Sequence, residues 1–310
     1  MNEIAHKADS LLGVIEGGGT KFLCGFGSAH DQLQKIERIS TTSPEETLAK
    51  VCEFFKSAPP LDAIGLGMFG PIELKGNSKH AIGTTLRTPK KGWDYIPVKS
   101  ILEKVLDIPV VVDTDVNGAA LAEYLWGASQ QCDPTVYVTI GTGIGAGVIV
   151  GGKPLHGLMH PEFGHMPVPV LEMANGEKDD FHCRCPFHTW CLEGVASGSA
   201  FSARTKGGVD ALAKDDPLWE LEANYLAHGL AACTYMLSPE RIVLGGGMLK
   251  NPGVLERVRS SLKKLVAGYI PHKKLNDDID NYLVYPHFEQ QAGLIGAFAL
   301  AKSHRLPSTI

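Results

Sequence analysis

The sequence predicts an α/β protein built from two similar halves. Two segments support this prediction, because each reads as a short apolar strand, a glycine-rich turn and a second apolar strand, first around residues 16–21 and again around 141–145. Other apolar runs of strand length alternate with segments in which apolar residues recur at helical spacing. A repeated pattern of this kind indicates a duplicated architecture, so we expect one glycine-rich hairpin in each of two domains.

The first half of the chain is predicted to alternate strands and helices. Ser43, Pro44 and Glu46 mark a helix start, since serine can cap a helix, proline suits its first turn and glutamate completes a capping box. This helix is expected to bury a stripe of apolar residues at helical spacing, namely Leu48, Val51, Cys52 and Phe55. The other elements predicted here are strands at 12–15, 22–26, 63–67 and 108–112, and a helix at 117–126 that ends at Gly127.

The second half repeats the pattern of strand, turn and strand over residues 136–150. Residues 151–200 are predicted to be irregular, and they carry a cluster of cysteines and histidines. The remaining predicted elements are a helix at 218–237, a strand at 241–244, a third glycine turn at 245–247 and a terminal helix at 291–301. From the repeat, we place one domain at residues 1–117 together with 291–310, and the other at 118–290.

Composition excludes several classes of protein. The formal net charge of −5 argues against a nucleic-acid surface, because such affinity depends on neutralising phosphates with Lys and Arg. No apolar run reaches the roughly 18 residues that a membrane span needs, and the start MNEIAHKADSLLG lacks the basic flank and apolar core of a signal peptide. Seven cysteines, three of them within residues 183–191, fit a reducing cytoplasm and one metal site better than a disulfide framework.

The three glycine turns are candidate phosphate sites. Backbone amides left free by a tight turn can point together at one anion, and glycine lets the backbone approach it without a Cβ clash. Neither the Walker A pattern nor the Rossmann fingerprint fits, because the chain has no GxxxxGK[ST] and its second turn lies between strands. The turn residues that we expect to bind a nucleotide are Gly18, Gly19, Thr20, Gly141, Thr142, Gly143, Gly245, Gly246 and Gly247.

Two charged residues at the first turn leave alternatives open. Glu16 would reach Mg²⁺ directly or through its waters if a nucleotide binds there, and otherwise it is an acid of a surface turn. Lys21 is either a phosphate contact or a solvated charge of the hairpin. Both residues are candidates for the nucleotide site.

A polar turn follows the apolar run at 108–112. Acidic groups at the carboxyl end of a central strand lie in the usual ligand crevice of an open α/β sheet. Asp115 is therefore a candidate general base for a hydroxyl group of the ligand. The alternative is that Asp115 or Asn117 caps the helix that follows, and we expect Asn117 to do so.

The cysteine and histidine cluster predicts a metal site. Cys185, His188 and Cys191 are spaced three and three, and His165 supplies a fourth ligand from the preceding loop. Four nitrogen and sulfur ligands with no spare position are typical of a closed, tetrahedral structural zinc site. Three further residues remain alternative ligands: Cys183, His182 and His160.

Two carboxylates lie beside this cluster, Glu162 before His165 and Glu193 after Cys191. A metal that orders both loops would fix these carboxylates next to each other. Such a pair suits a ligand that is rich in hydroxyl groups.

Taken together, these motifs resemble the ROK family of sugar kinases, and within it the bacterial fructokinase branch. The resemblance is carried by the segments at 15–21, 113–117, 160–165 and 185–193, with a further similar segment at 88–93. They occur in the family's order, and with the third glycine turn they span nearly the whole chain.

The resemblance implies an actin-like, ribonuclease H-like ATPase fold of two domains that close over ATP and a sugar, with a structural zinc-bound insertion. It implies phosphorylation of D-fructose to fructose 6-phosphate, with Mg²⁺ as cofactor and Asp115 taking the proton from the 6-hydroxyl. It further implies a cytoplasmic homodimer, and a glycine turn at 245–247 lying along the adenosine. The sugar pocket would be lined by Thr114, Glu162, His165 and Glu193.

Three departures from the family pattern bear on these expectations. Glu16 stands where most members have Asp, which keeps a carboxylate with a longer reach, and Thr114 replaces a common Asn, which bears on sugar choice. The cysteine motif contains a histidine, as in the fructokinase variant. Two alternative functions remain: a hexose 6-kinase acting on mannose or glucose, and a catalytically silent sugar-binding protein.

Overall fold

The computed structural model describes residues 11–76, 78–205, 212–251 and 253–304, so the predicted chain start and the last six residues of the predicted first domain lie outside the described residues. The chain divides into two compact units. Among the described residues, unit 1 holds those up to Ala122, the segment His156–His160 and those from Gln291 onward. Unit 2 holds Glu123–Leu155 and Pro161–Gln290.

Unit 1 contains a five-stranded mixed sheet. Its strands are β1 (Leu11–Gly17), β2 (Lys21–Gly27), β3 (Leu33–Ser40), β4 (Leu61–Met68) and β5 (Val110–Thr114). They lie in the order β3-β2-β1-β4-β5. β2 is antiparallel to both β1 and β3, whereas β4 and β5 run parallel to β1. The carboxyl ends of β1, β4 and β5 therefore meet at one edge of the sheet.

The helices of unit 1 are α1 (Pro44–Lys56), α2 (Val98–Leu106), the first part of α3 (Asp115–Trp126) and α10 (Ala292–Ser303). The predicted start of α1 is confirmed, because the Ser43 side chain accepts a hydrogen bond from the Glu46 amide at 3.3 Å. α10 packs on β1, β4 and β5. It lies very close to the sheet at Gly65 of β4, where a Cβ would lie 1.8 Å from the Ala297 carbonyl oxygen.

Unit 2 repeats the sheet of unit 1. Its strands are β6 (Thr135–Ile140), β7 (Ile144–Val150), β8 (Lys153–Pro154), β9 (Arg241–Gly245) and β10 (Leu283–Val284). They lie in the order β10-β9-β6-β7-β8. β7 is antiparallel to both β6 and β8, whereas β9 and β10 run parallel to β6. Strand for strand this is the topology of unit 1, which confirms the predicted duplicated α/β architecture.

The helices of unit 2 build its apolar core against one sheet. They are α4 (Leu192–Ala196), α5 (Gly198–Arg204), α6 (Pro217–Leu237), α7 (Val254–Val266), α8 (Lys273–Asn276) and α9 (Ile279–Tyr282). The central pair is α6 and α7, and the core includes the fully buried Tyr225 and Phe201. The segment 151–200, predicted to be irregular, also contains β8, α4 and the start of α5.

Several elements were not predicted from the sequence, namely β3, α2, α7 and the short β8, β10, α8 and α9. The predicted helix at 117–126 begins two residues earlier, at Asp115. Among the described residues, no helix has both the length and the apolar character needed to cross a membrane.

Candidate active site

In unit 1, the first glycine turn joins β1 to β2 and is fastened by Thr41. The Thr41 hydroxyl donates to the Gly18 carbonyl at 2.7 Å, and its amide donates to the Thr20 carbonyl at 3.0 Å. The Gly18 amide donates to the Lys21 carbonyl at 2.9 Å. Within the described part of the chain, the amides of Gly19 and Thr20 have no acceptor, so these two remain available to an anion.

Glu16 lies in β1, one residue before its end, and its side chain is largely buried. Its carboxylate lies against the start of α10, since a Cβ on Gly293 would come within 2.6 Å of the Glu16 Cδ. Burial raises the pKa of Glu16, while the positive charge of Lys21 opposes the rise. Among the described residues, the buried Glu16 Oε2 has no hydrogen-bond partner. A carboxylate oxygen in this state fits a cation or its water shell.

Asp115 is the first residue of α3 and follows directly after β5. It approaches β4 closely, because a Cβ on Gly67 would lie 3.3 Å from the Asp115 Cα. Burial raises the pKa of Asp115 to about 7, and the negative charge of Glu16 adds to the rise. Two carboxylates at one sheet edge whose pKa values are both raised are the arrangement expected of acid–base or cation-binding groups.

The first turn of α3 corrects one sequence prediction. Asn117 does not cap the helix, because its own amide donates to the Thr114 Oγ1 at 3.1 Å. Thr114 is therefore the capping residue, and its hydroxyl is buried. The Asn117 side chain turns back to donate to the Asp113 Oδ1 at 2.7 Å. Whether Thr114 also contacts a sugar stays a prediction.

Sequence reasoning missed the partner of Asp113. The Nε2 atom of His156, which lies 43 positions along the chain, is 3.0 Å from the Asp113 Oδ2. Asp113 is buried and His156 is half-buried. The motif around Asp115 was visible in the sequence, but no local pattern connects it to a histidine so distant in the chain.

In unit 2, the second glycine turn joins β6 to β7 and holds Glu193. The Glu193 Oε2 accepts the Ile144 amide at 2.9 Å. A Cβ on Gly143 would lie 2.5 Å from the same oxygen, so glycine is required for this carboxylate to reach the turn. The carbonyls of Gly141 and Thr142 accept the Gly198 amide and the Ser199 hydroxyl at 2.8 Å and 2.7 Å. The turn is thus fixed by the start of α5.

The third glycine turn follows β9 and leads into a short 3₁₀ helix, Gly247–Lys250. Gly246 has φ 98° and ψ 171°, a backbone conformation essentially restricted to glycine. A Cβ on Gly246 would also lie 2.3 Å from the Ile140 carbonyl at the end of β6. The second and third turns therefore lie next to each other, as candidate binding residues of one nucleotide should.

The four predicted metal ligands converge in unit 2. The donor atoms of His165, Cys185, His188 and Cys191 all lie within 4.8 Å of one another. The Cys185 Sγ is 3.3 Å from the His188 Nδ1 and 3.8 Å from the His165 Nδ1, and the Cys191 Sγ is 3.9 Å from that same His165 nitrogen. Tetrahedral zinc bonds to sulfur and nitrogen would put such pairs about 3.6 Å apart. The cluster fits zinc.

Two of the alternative ligands have other partners. The Cys183 thiol donates to the His188 carbonyl at 3.5 Å and lies over Gly194 of α4. The His160 Nε2 accepts the Ile72 amide at 3.2 Å within unit 1. Next to the cluster, the Glu162 Oε2 is 4.0 Å from the His165 Nε2, so this carboxylate lies on the side of the imidazole away from the thiols.

Comparison with known proteins places this chain. A model of the ROK family matches residues 12–304. The chain belongs to the ROK family. This ROK protein is 41% identical over 298 residues to a fructokinase from Zymomonas mobilis, covering 94% of this chain and 96% of that protein. It is 37% identical to a fructokinase from Pediococcus pentosaceus, covering 94% and 98%.

Solved structures of ROK proteins agree with the fold. The crystal structure of a ROK family glucokinase from Streptomyces griseus, in complex with glucose and AMPPNP, superposes with a TM-score of 0.73 at 25% identity. The match covers 95% of this chain and 100% of that one. The predicted actin-like ATPase fold of this ROK protein is confirmed.

Proposed function

We propose that this ROK protein transfers the γ-phosphoryl group of ATP to the 6-hydroxyl of D-fructose, yielding fructose 6-phosphate and ADP. Asp115 carries the proposal, because it joins a pKa of about 7 to a position at the carboxyl edge of the sheet beside Glu16. The relatives named fructokinase support fructose as the sugar, since they are 37% and 41% identical to this chain, against 25% for the glucokinase of known structure.

In this mechanism Asp115 accepts the proton of the sugar hydroxyl as its oxygen attacks the phosphorus. A general base works best when its pKa lies near the working pH, because it is then both available and basic enough. A carboxylate with an ordinary pKa would be a weaker base. The burial and the Glu16 charge that raise the pKa of Asp115 are therefore useful for catalysis.

The glycine turns are proposed to hold ATP. The amides of Gly19 and Thr20 would donate to phosphate oxygens, and the second and third turns would hold the rest of the nucleotide. Glu16 would bind Mg²⁺ directly or through water, which its unpartnered Oε2 supports. Mg²⁺, when bound, supplies charge that neutralises the transferring phosphoryl group.

The sugar is proposed to be held by Glu162, His165 and Glu193, with zinc ordering the loops that carry them. If zinc is held by the Nδ1 atom of His165, the Nε2 edge of the ring would face Glu162. A carboxylate near the outer nitrogen of a metal-bound histidine fixes the ring's orientation. The metal would thus position the side chains that bind the sugar and take no part in the chemical step.

A panel of hexoses with ATP and Mg²⁺ tests the proposal. Fructose should give the highest kcat/KM for ADP release, with the product phosphorylated at C6. Asp115→Asn should lower kcat by about 10²- to 10⁴-fold, whereas the matched control Asp107→Asn should not, because Asp107 ends α2 in a left-handed conformation that asparagine tolerates. Preference for glucose or mannose would favour the other hexose kinase, and no turnover with any hexose would favour a silent sugar-binding protein.

Two further expectations, about the cellular compartment and the oligomeric state, accompany this proposal. None of the seven cysteines, all of which lie among the described residues, forms a disulfide, which suits the proposed reducing cytoplasm. The family resemblance further predicts a homodimer, which sedimentation velocity would test directly.

A further inference from the structure

One short segment of unit 1 interrupts a stretch of sequence that otherwise belongs to unit 2. Residues His156–His160 are part of unit 1, although the residues on both sides of them belong to unit 2. Two imidazoles hold the segment in unit 1, with His160 accepting the Ile72 amide and His156 contacting Asp113. The proposed mechanism uses neither histidine.

The Asp113 carboxylate joins the end of β5 to the start of α3. Its Oδ1 accepts the Thr114 amide at 2.7 Å and the Asn117 side-chain amide at 2.7 Å. The same oxygen is 3.2 Å from the His156 Nε2, and the other oxygen is 3.0 Å from it. Asp115 lies within the stretch from 113 to 117 that these bonds hold, so its position depends on the geometry of this carboxylate.

Charge gives the contact further importance. Glu16, Asp113 and Asp115 put three carboxyl groups at one sheet edge. The His156 imidazole brings a basic side chain within ion-pair distance of Asp113. The hydrogen bond to Asp113 raises the pKa of His156, while burial and the positive charge of Lys75 act against the rise.

We propose that His156 is a positioning residue for Asp115. It holds the buried Asp113 carboxylate in the orientation in which its Oδ1 accepts the Thr114 and Asn117 amides. The first turn of α3 then holds the Asp115 carboxylate where the sugar hydroxyl is deprotonated. This inference rests on the proposed function, because it assigns His156 to the same reaction.

The test is a double-mutant cycle in the full-length, zinc-loaded protein. His156→Gln and Asp113→Asn should each lower kcat with fructose by about 10- to 100-fold, since small misplacements of a reacting group cost that much. The KM for ATP should change less than about threefold in both. The double variant should recover to within about tenfold of wild type, because the two new side-chain amides can hydrogen-bond to each other. His80→Gln, which alters a half-buried histidine stacked on Tyr95, is the matched control and should behave as wild type.

Three results would overturn the inference. Single effects that multiply in the double variant would mean that the two side chains act independently. A His156→Gln protein that melts earlier but keeps its kcat per folded molecule would have lost only a structural contact. Wild-type protein that phosphorylates no hexose would overturn the proposed function first and this role with it, which separates that failure from the other two.

Discussion

The crossing of α3 and α10 in unit 1 predicts opposite effects for two glycine-to-alanine changes at one contact. A Cβ on Gly296 of α10 would lie 2.1 Å from the Gly118 carbonyl carbon and 2.2 Å from its oxygen. A Cβ on Gly118 of α3 would lie 3.5 Å from the nearest Gly296 atom, which is ordinary van der Waals contact. The two substitutions add the same methyl group to the same crossing.

The geometry decides the magnitudes. Ordinary contact begins at 3.4 Å, so Gly296→Ala requires the backbones to part by about 1.3 Å. α10 has little room to retreat, because Gly65 of β4 already touches its Ala297 carbonyl. We expect Gly296→Ala to lower the free energy of unfolding by about 2–3 kcal/mol after its gain in helix propensity, and Gly118→Ala to raise it by up to about 1 kcal/mol.

Equilibrium unfolding in urea, followed by circular dichroism, measures both changes. The midpoint for Gly296→Ala should fall by roughly 1 M, and that for Gly118→Ala should stay or rise. Since Asp115 lies one helical turn before Gly118, Gly296→Ala should also lower kcat. Equal stability of the two variants, or a Gly118→Ala protein that is the less stable, would refute this account of the crossing.

Three further predictions concern two carboxyl groups with raised pKa values and the candidate zinc site. kcat should rise with pH as Asp115 loses its proton near pH 7, and Glu16→Gln should move this rise to lower pH, because removing the negative charge lowers the pKa of Asp115. Burial raises the pKa of Glu222, and the charge of Arg204 opposes the rise. The contribution of Glu222 to the stability of the wild type therefore falls as pH rises above about 4.5, the ordinary Glu value. In urea unfolding, the free energy of unfolding of Glu222→Gln relative to wild type should increase steadily from about pH 5 to pH 8. Chelation of zinc should lower the thermal midpoint by several degrees, and Cys185→Ser should do the same without chelator.

Each of these experiments has its own control. A pH profile that Glu16→Gln leaves in place would show that the two carboxyl groups do not interact. A stability difference between Glu222→Gln and wild type that is independent of pH would mean that Glu222 is ionised when folded. Cys183→Ser should keep one bound zinc per chain by mass spectrometry, since its hydroxyl can replace the thiol as donor to the His188 carbonyl. Loss of zinc in that variant would add Cys183 to the ligands.

The elements that sequence reasoning found are those with local signals. The start of α1 has its cap, proline and glutamate within four positions. In the structure Ser43 caps the helix and Pro44 lies in its first turn, but the Glu46 carboxylate accepts from the Thr42 hydroxyl and the Lys50 ammonium instead of completing the capping box. β3 has no such signal, because most of its side chains are exposed, so it shows no alternation of apolar and polar residues. α2 was missed since Pro97 precedes it without a side-chain cap.

The candidate site divides in the same way. The four candidate metal ligands lie within 27 positions of one another, and chemistry alone selects cysteine and histidine. Their predicted convergence is found in the structure, while the binding of zinc stays a prediction. The cap of α3 was assigned to the wrong residue, because Thr114 and Asn117 are both good caps and only the helix start at Asp115 distinguishes them. The contact of Asp113 with His156 depends on the path of the chain after β8, which no local pattern encodes.

The two sheets differ in the residue at one equivalent position near the carboxyl ends of their parallel strands. Glu16 of β1 pairs with Gly67 of β4, and at the equivalent position of unit 2, Thr139 of β6 pairs with Gly245 of β9. One sheet therefore presents a carboxylate and the other a hydroxyl at the same register, each opposite a glycine that lets another part of the protein approach closely. A carboxylate at this register of unit 1 can hold a cation, whereas a hydroxyl at the same register of unit 2 adds no negative charge that would oppose a phosphate. This difference between two copies of one topology supports the proposed division of labour, with the cation held in unit 1 and the adenosine in unit 2.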